Sequence, residues 1–153
     1  MIKKANEERP SAIIIGCFDD TGLEKAREVS LCPVLGIGEA SFMFSKLHSG
    51  QTAVITTVHD AVPVIKKNIE NSGYQNQIDE VIAADVEVLE LEFNPSESAM
   101  KFALASKLLK PKTKNIILGC AGAVRIKDEF ESITGYTAFD GVTSAAKLCR
   151  ALV

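Results

Sequence analysis

The chain has 153 residues, 46% of them hydrophobic and 24% charged, which suits one ordinary soluble domain or two small ones with a real core. A net charge of −3 with scattered basic residues argues against nucleic acid; the one local cluster, Lys107, Lys110, Lys112 and Lys114, reads as a solvated helix end and loop. No apolar run approaches the roughly 18–20 residues that span a bilayer, so a membrane is not an expected partner either.

In chain order, Ala12–Cys17 reads as an apolar strand, and Asp19 or Asp20 caps a helix over Thr21–Val29 whose wet face carries Glu24, Lys25, Arg27 and Glu28. Pro33–Ile37 is a second short strand, and Glu39–Leu47 a helix ended by Ser49-Gly50. Thr52–Thr57 is a third strand. Asp60 caps a helix that runs to about Asn71, with Pro63 in its first turn and Gly73 after its end. Glu80–Asp85 is a fourth strand, Leu89–Asn94 a connector, and Glu97–Leu109 a helix opened by Pro95-Ser96. Asn115–Cys120 is a fifth strand, Ile126–Ile133 a short helix closed by Gly135, Thr137–Phe139 a last strand and Gly141–Leu152 a last helix. Strands alternating with helices point to the α/β class with parallel sheets.

One pattern is written twice. Ile13-Ile14-Ile15-Gly16-Cys17 returns as Ile116-Ile117-Leu118-Gly119-Cys120. An Ile/Leu run of this kind reads as a strand buried on both faces. The cysteine then stands at the strand's carboxyl end, where open α/β sheets bind ligands. There a following helix offers free amides and a positive dipole end, which lower a thiol pKa. The acids Asp19 and Asp20 oppose that effect at Cys17 unless they turn away as caps. Two matched thiols suit a reaction that uses one group on each side of a substrate, although free cysteines also often only pack. Cys32 and Cys149 read as structural. With no C-x-x-C pair and two His in the chain, no metal site is expected, and an intracellular, cytoplasmic protein with reduced thiols is the default.

Further residues fall at strand ends. Thr56 and Thr57 offer hydroxyls for a carboxylate or imide. Glu39 stands after Gly36-Ile37-Gly38, either as a first-turn helix acid or as support for the site. His59, at the same rim, is either a solvated loop residue, the favoured reading, or an aid to proton transfer. Asp140-Gly141 is a natural helix cap that lines the site at most indirectly.

Taken together, the stretches Ile13–Leu23 (IIIGCFDDTGL), Pro33–Ala40 (PVLGIGEA), Val54–Thr57 (VITT), Ile117–Gly122 (ILGCAG) and Asp140–Val142 (DGV) resemble the aspartate/glutamate/hydantoin racemase superfamily, in its hydantoin and allantoin racemase branch. The resemblance implies two similar three-layer half-domains with parallel sheets facing a cleft: residues 1–50 with 136–153 form the first and 51–135 the second. It implies one catalytic cysteine from each, Cys17 and Cys120. Phe18, Thr56, Thr57, Gly119, Ala121 and Gly122 would bind the substrate, with Glu39 and Asp140 in support. It implies a small-molecule substrate and no cofactor or metal. One thiolate would take the proton beside a carbonyl and the other thiol return one to the opposite face.

Asp19 and Ala123 depart from the family's usual small residue and Met. Met1 falls inside the helix before the Cys17 strand, so the family's opening segment has no counterpart. The first half-domain is therefore expected to be incomplete, lacking a strand at the middle of its sheet. An open strand edge invites pairing with another chain, so a homo-oligomer, or a poorly active chain, is expected. Other readings of the same residues are an inactive shortened relative kept as a binding or structural remnant, and a thiol redox protein.

Overall fold

The computed structural model describes residues 1–152. Its element order is α1 (Ile2–Glu7), β1 (Ile13–Ile15), α2 (Leu23–Val29), β2 (Val34–Gly36), α3 (Ile37–Lys46), β3 (Gln51–Thr56), α4 (Val62–Asn71), β4 (Ile78–Ala83), α5 (Glu90–Phe93), α6 (Pro95–Ser106), β5 (Thr113–Gly119), α7 (Lys127–Thr134), β6 (Thr137–Asp140) and α8 (Gly141–Leu152). Two 3-10 turns, His59–Ala61 and Ala121–Arg125, fill strand-to-helix connections that the sequence reads as plain loop or helix. The Leu89–Asn94 connector contains the short helix α5, held by Leu91, which is wholly buried. No helix among the described residues is long and apolar enough to cross a membrane.

There are two parallel sheets. β1 pairs with β2, and the larger sheet has the order β4-β3-β5-β6. Side chains alternate across the large sheet, as pleating requires. Ala53, Ile55, Ile116, Leu118 and Ala138 face one core, with Leu91, Phe102 and Phe130. Val54, Ile117 and Phe139 face the other, with Ile37, Phe42, Ile65 and Ala145. The result is a three-layer α/β/α arrangement whose central strands β3 and β5 are buried on both sides, which is why they read as unbroken apolar runs.

The first copy of the repeated pattern behaves differently. Ile14 is 41% exposed, whereas Ile116, Ile117 and Leu118 are each fully buried. The expectation of a strand covered on both faces therefore holds for β5 and not for β1. Of residues 136–153, expected with the first half-domain, Thr137–Asp140 join the large sheet beside β5, and α8 packs on α3. Gly141 permits that packing: a Cβ there would stand 2.6 Å from the Ile37 carbonyl oxygen.

Candidate active site

The chain order of the large sheet changes direction between β3 and β5, the position where open α/β sheets leave a crevice at their carboxyl ends. Cys120 follows β5 there and begins the 3-10 turn Ala121–Arg125. Its thiol is half-buried, and burial raises its pKa above the ordinary 9.0, while the amides of Gly122, Ala121 and Ala123 pull the other way.

Cys17 follows β1 and is exposed. Partial burial raises its pKa first, and a hydrogen bond between its thiol and the Asp19 side chain raises it further. The Asp19 backbone opposes this, while the charges of Asp19 and Cys120 add to the rise. Both thiols thus titrate above the ordinary value, not below it: at these turns desolvation outweighs the amides. The charge of Cys120 is the smallest contribution to the rise at Cys17. Phe18 and Ala121, the residues that follow the two cysteines, both belong to the apolar cluster around Phe42 and Ile117. All four cysteines are free thiols.

The Cys17 loop is anchored from three directions. The Asp20 amide bonds the Cys17 carbonyl at 3.0 Å, closing a turn with Asp20 at φ 50°. Asn68 of α4 donates to the Asp19 carbonyl at 2.6 Å. The Asp20 carboxylate reaches across to α3 and accepts the Gly38 and Glu39 amides at 3.1 and 2.7 Å. Asp20 is therefore the N-terminal cap of α3. The helix expected to use it, α2, begins instead at Gly22 in the left-handed region. The two glycines of Gly36-Ile37-Gly38 make room for it: a Cβ on Gly36 would stand 2.3 Å from the carboxylate. They are the sequence signal that marks this contact, and capping is also why the helix starts at Ile37, directly off β2.

Burial pushes the Asp20 carboxyl from 3.8 up to about 6, against the Glu39 and Gly38 amides, with Glu39 and Asp19 adding repulsion. The folded chain therefore holds this proton more tightly than the unfolded one. That contribution to stability is complete below pH 3.8 and is lost as pH rises through about 6. Across that window the urea midpoint of the wild type should lose ground relative to Asp20→Asn. Parallel pH dependences in the two proteins would remove Asp20 as the cause.

The remaining expected site residues divide. Thr56 is fully buried and its hydroxyl donates to the Gly119 carbonyl at 2.9 Å, tying the ends of β3 and β5 together. Thr57 is 3% exposed, next along the same rim. Gly119 has a packing reason: a Cβ would lie 3.0 Å from Val54 and 3.1 Å from Thr56. Gly122 faces Leu91 of α5: a Cβ there would stand 3.2 Å from the Leu91 side chain. The Phe18 ring is in the core, edge-on to Phe42 at 6.2 Å, and the residue as a whole is 5% exposed. Glu39 pairs with Arg27, which also bonds Glu24 and the Val34 carbonyl, and so braces α3 against α2 and β2. Asp140 is 2% exposed and caps α8 through the Thr143 amide at 2.7 Å; its second oxygen is buried with no partner among the described residues. His59 is solvent-exposed and 3.1 Å from Asp85. Cys32 lies in the Ser30 turn and Cys149 on α8.

A cavity of about 410 Å³ adjoins the Cys17 loop, with Asp20, Glu39, Asn68 and Asn71 among its lining residues. A larger apolar groove of about 650 Å³ lies away from the thiols, between α6 and α7. Neither cysteine lines either one. Among the described residues no group of three or more His, Cys, Asp or Glu is placed to hold a metal ion.

The sequence model of the Asp/Glu/Hydantoin racemase family matches residues 1–149. A hydantoin racemase of Rhizobium meliloti is 34% identical over 99% of this chain, and the match takes in 64% of that protein. The chain thus spans somewhat under two thirds of the length of such relatives. Among solved structures, an allantoin racemase from Klebsiella pneumoniae superposes with a TM-score of 0.89 at 26% identity, over 99% of this chain and 62% of that one. A glutamate racemase from Bacillus anthracis shares the fold at 16% identity, with a TM-score of 0.76 over 99% of this chain and 61% of its own.

Proposed function

Because the chain belongs to the Asp/Glu/hydantoin racemase family, we propose that it racemises a hydantoin- or allantoin-like compound without a cofactor, using Cys17 and Cys120 as paired proton-transfer groups. The observation that carries this reading is the pairing itself. A Gly-Cys turn follows the carboxyl end of a parallel strand in each of the two sheets, so the chain carries two matched thiols at strand ends. Neither sulfur is used up in a disulfide.

In this mechanism one sulfur, as thiolate, removes the proton from the ring carbon beside a carbonyl. The flat enolate is held by amide donors, for which the turn after Cys120 supplies Ala121 and Gly122. The other thiol delivers a proton to the far face, and the roles exchange in the reverse direction. Carbonyl and nitrogen of a five-membered ureide ring already acidify that C–H, so two thiols of raised pKa suffice as base and acid. Thr57 borders the ring, Thr56 and Gly119 hold the rim closed, and Glu39 and Asp140 brace the helices beneath.

The test is polarimetry in deuterated water with single enantiomers of 5-substituted hydantoins, allantoin, aspartate and glutamate. Rotation should decay for a ring ureide, with one deuterium at the stereocentre, and persist for the two free amino acids. Unchanged rotation for the whole panel would defeat the reading.

A further inference from the structure

Helix α6 shows two apolar faces, and the core covers only one of them. Ala99, Phe102, Ala103 and Ala105 are buried against the large sheet. Met100, Leu104 and, in the turn that continues the helix, Leu108 fall at i, i+4 and i+8 and share the outer face. Each keeps more than half of its surface in water. Alongside them, Ile133 of α7 and Tyr136 complete the apolar groove of about 650 Å³. Single exposed apolar residues are ordinary, but a contiguous apolar surface marks an interaction site. A small ligand needs polar groups that orient it. Both hydroxyls in this groove are already engaged within their own helices, Ser106 with the Ala103 carbonyl and Thr134 with the Phe130 carbonyl, each at 2.7 Å.

The charges at the two ends of the groove identify its occupant. Glu97 stands in the first turn of α6, with Glu129 of α7 nearby through its hydrogen bond from Ser96. Lys107 stands at the C-terminal cap, about 15 Å further along the axis. Met100 lies three positions after Glu97, and Leu104 three before Lys107, so the stripe reads acid, apolar, apolar, base. That order is complementary to its own reverse, and a second copy of the chain carries the reverse by construction. We propose that this groove seats a second copy, with the two α6 helices antiparallel across a two-fold axis at the level of Phe102. Met100 then meets the partner's Leu104, and Glu97 the partner's Lys107, each contact being made twice. Lys101 pairs with Glu97 along the helix at 2.9 Å, which leaves that carboxylate between two cations. A parallel arrangement would set like charge on like. Burial of the stripe supplies the attraction, and the end charges fix the direction. This face is distinct from the open edge of the β1–β2 sheet.

The test is sedimentation velocity on the full chain from about 5 to 500 μM, the span in which a small interface dissociates. The wild type should pass from monomer to dimer across it. Leu104→Glu places a helix-forming acid between Lys101 and Lys107 of its own helix, so the fold should hold. Its dissociation constant should rise about a hundredfold, since a central apolar contact made twice is lost. Should circular dichroism show that it has unfolded, Met100→Gln makes the same comparison. Glu97→Lys and Lys107→Glu should each weaken self-association about tenfold, because each sets like charges together at both ends. Mixed in equal amounts, these two variants should associate as tightly as the wild type, since the cross pair regains both opposite-charge contacts. A wild type that stays monomeric throughout overturns the proposal, as does a dimer indifferent to Leu104→Glu, or a mixture no tighter than its components. Neither cysteine lines this groove, so the result stands apart from the racemase reading.

Discussion

Cys17→Ser and Cys120→Ser should each slow racemisation of a ring ureide by about a thousandfold or more, the range that a positioned general acid or base contributes. Serine keeps the size and the hydrogen bonds of cysteine, but its hydroxyl neither ionises at working pH nor yields a proton as readily as a thiol. The two losses should look alike in racemisation and differ in isotope exchange. With Cys120 intact, Cys17→Ser should still wash deuterium into one enantiomer, since abstraction and return on the same face need one sulfur only. Cys120→Ser should do the same for the mirror image. Nuclear magnetic resonance of each enantiomer in deuterated water reads this directly. Full activity in either variant would remove the two-thiol mechanism, and exchange of both enantiomers by both variants would assign the chemistry to some other base.

Gly38→Ala should cost about 3 kcal/mol, combining a lost helix cap with overpacking against main chain. A Cβ at position 38 would stand 2.4 Å from the Phe18 carbonyl oxygen and 2.8 Å from the Asp20 carboxylate. The carbonyl belongs to the loop that carries Cys17 and is anchored by Asn68 through the next residue, so it has little freedom to retreat. The carboxylate must leave the Gly38 and Glu39 amides, and the first turn of α3 is then uncapped. For a chain of this length the melting temperature should fall by about 10 °C. Gly16→Ala is the internal control, because nothing lies within 4 Å of its added Cβ and its backbone is not left-handed. It should change stability by less than about 0.5 kcal/mol. Equal melting of Gly38→Ala and wild type would show that α3 does not depend on Asp20.

That contrast between glycines shows how far letters carry. The repeated Ile-Ile-x-Gly-Cys pattern marks two strand ends with thiols, and the structure places both there. Yet Gly119 is needed because β3 and β5 close around it, whereas Gly16 stands in the open. Likewise the run before Cys120 is buried on both faces, while the run before Cys17 leaves Ile14 exposed. Near-identical sequence does not specify which neighbours cover a strand.

What the sequence determined by itself was local. Apolar runs bounded by glycine and proline located the strands, their alternation with helices gave the α/β class, and the two Gly-Cys turns marked the rim. These follow from period, chain stiffness and turn chemistry within a few residues. What only the tertiary structure decided were contacts between distant segments: Asp20 capping α3 rather than its own helix, Glu39 turning to Arg27, and the Phe18 ring entering the core. It also turned the lowering expected at Cys120 into a rise, and at Cys17 decided the contest between amides and acids in favour of a rise. A helix terminus is visible in sequence, but desolvation depends on what packs around the sulfur, and that is supplied by chain arriving from elsewhere.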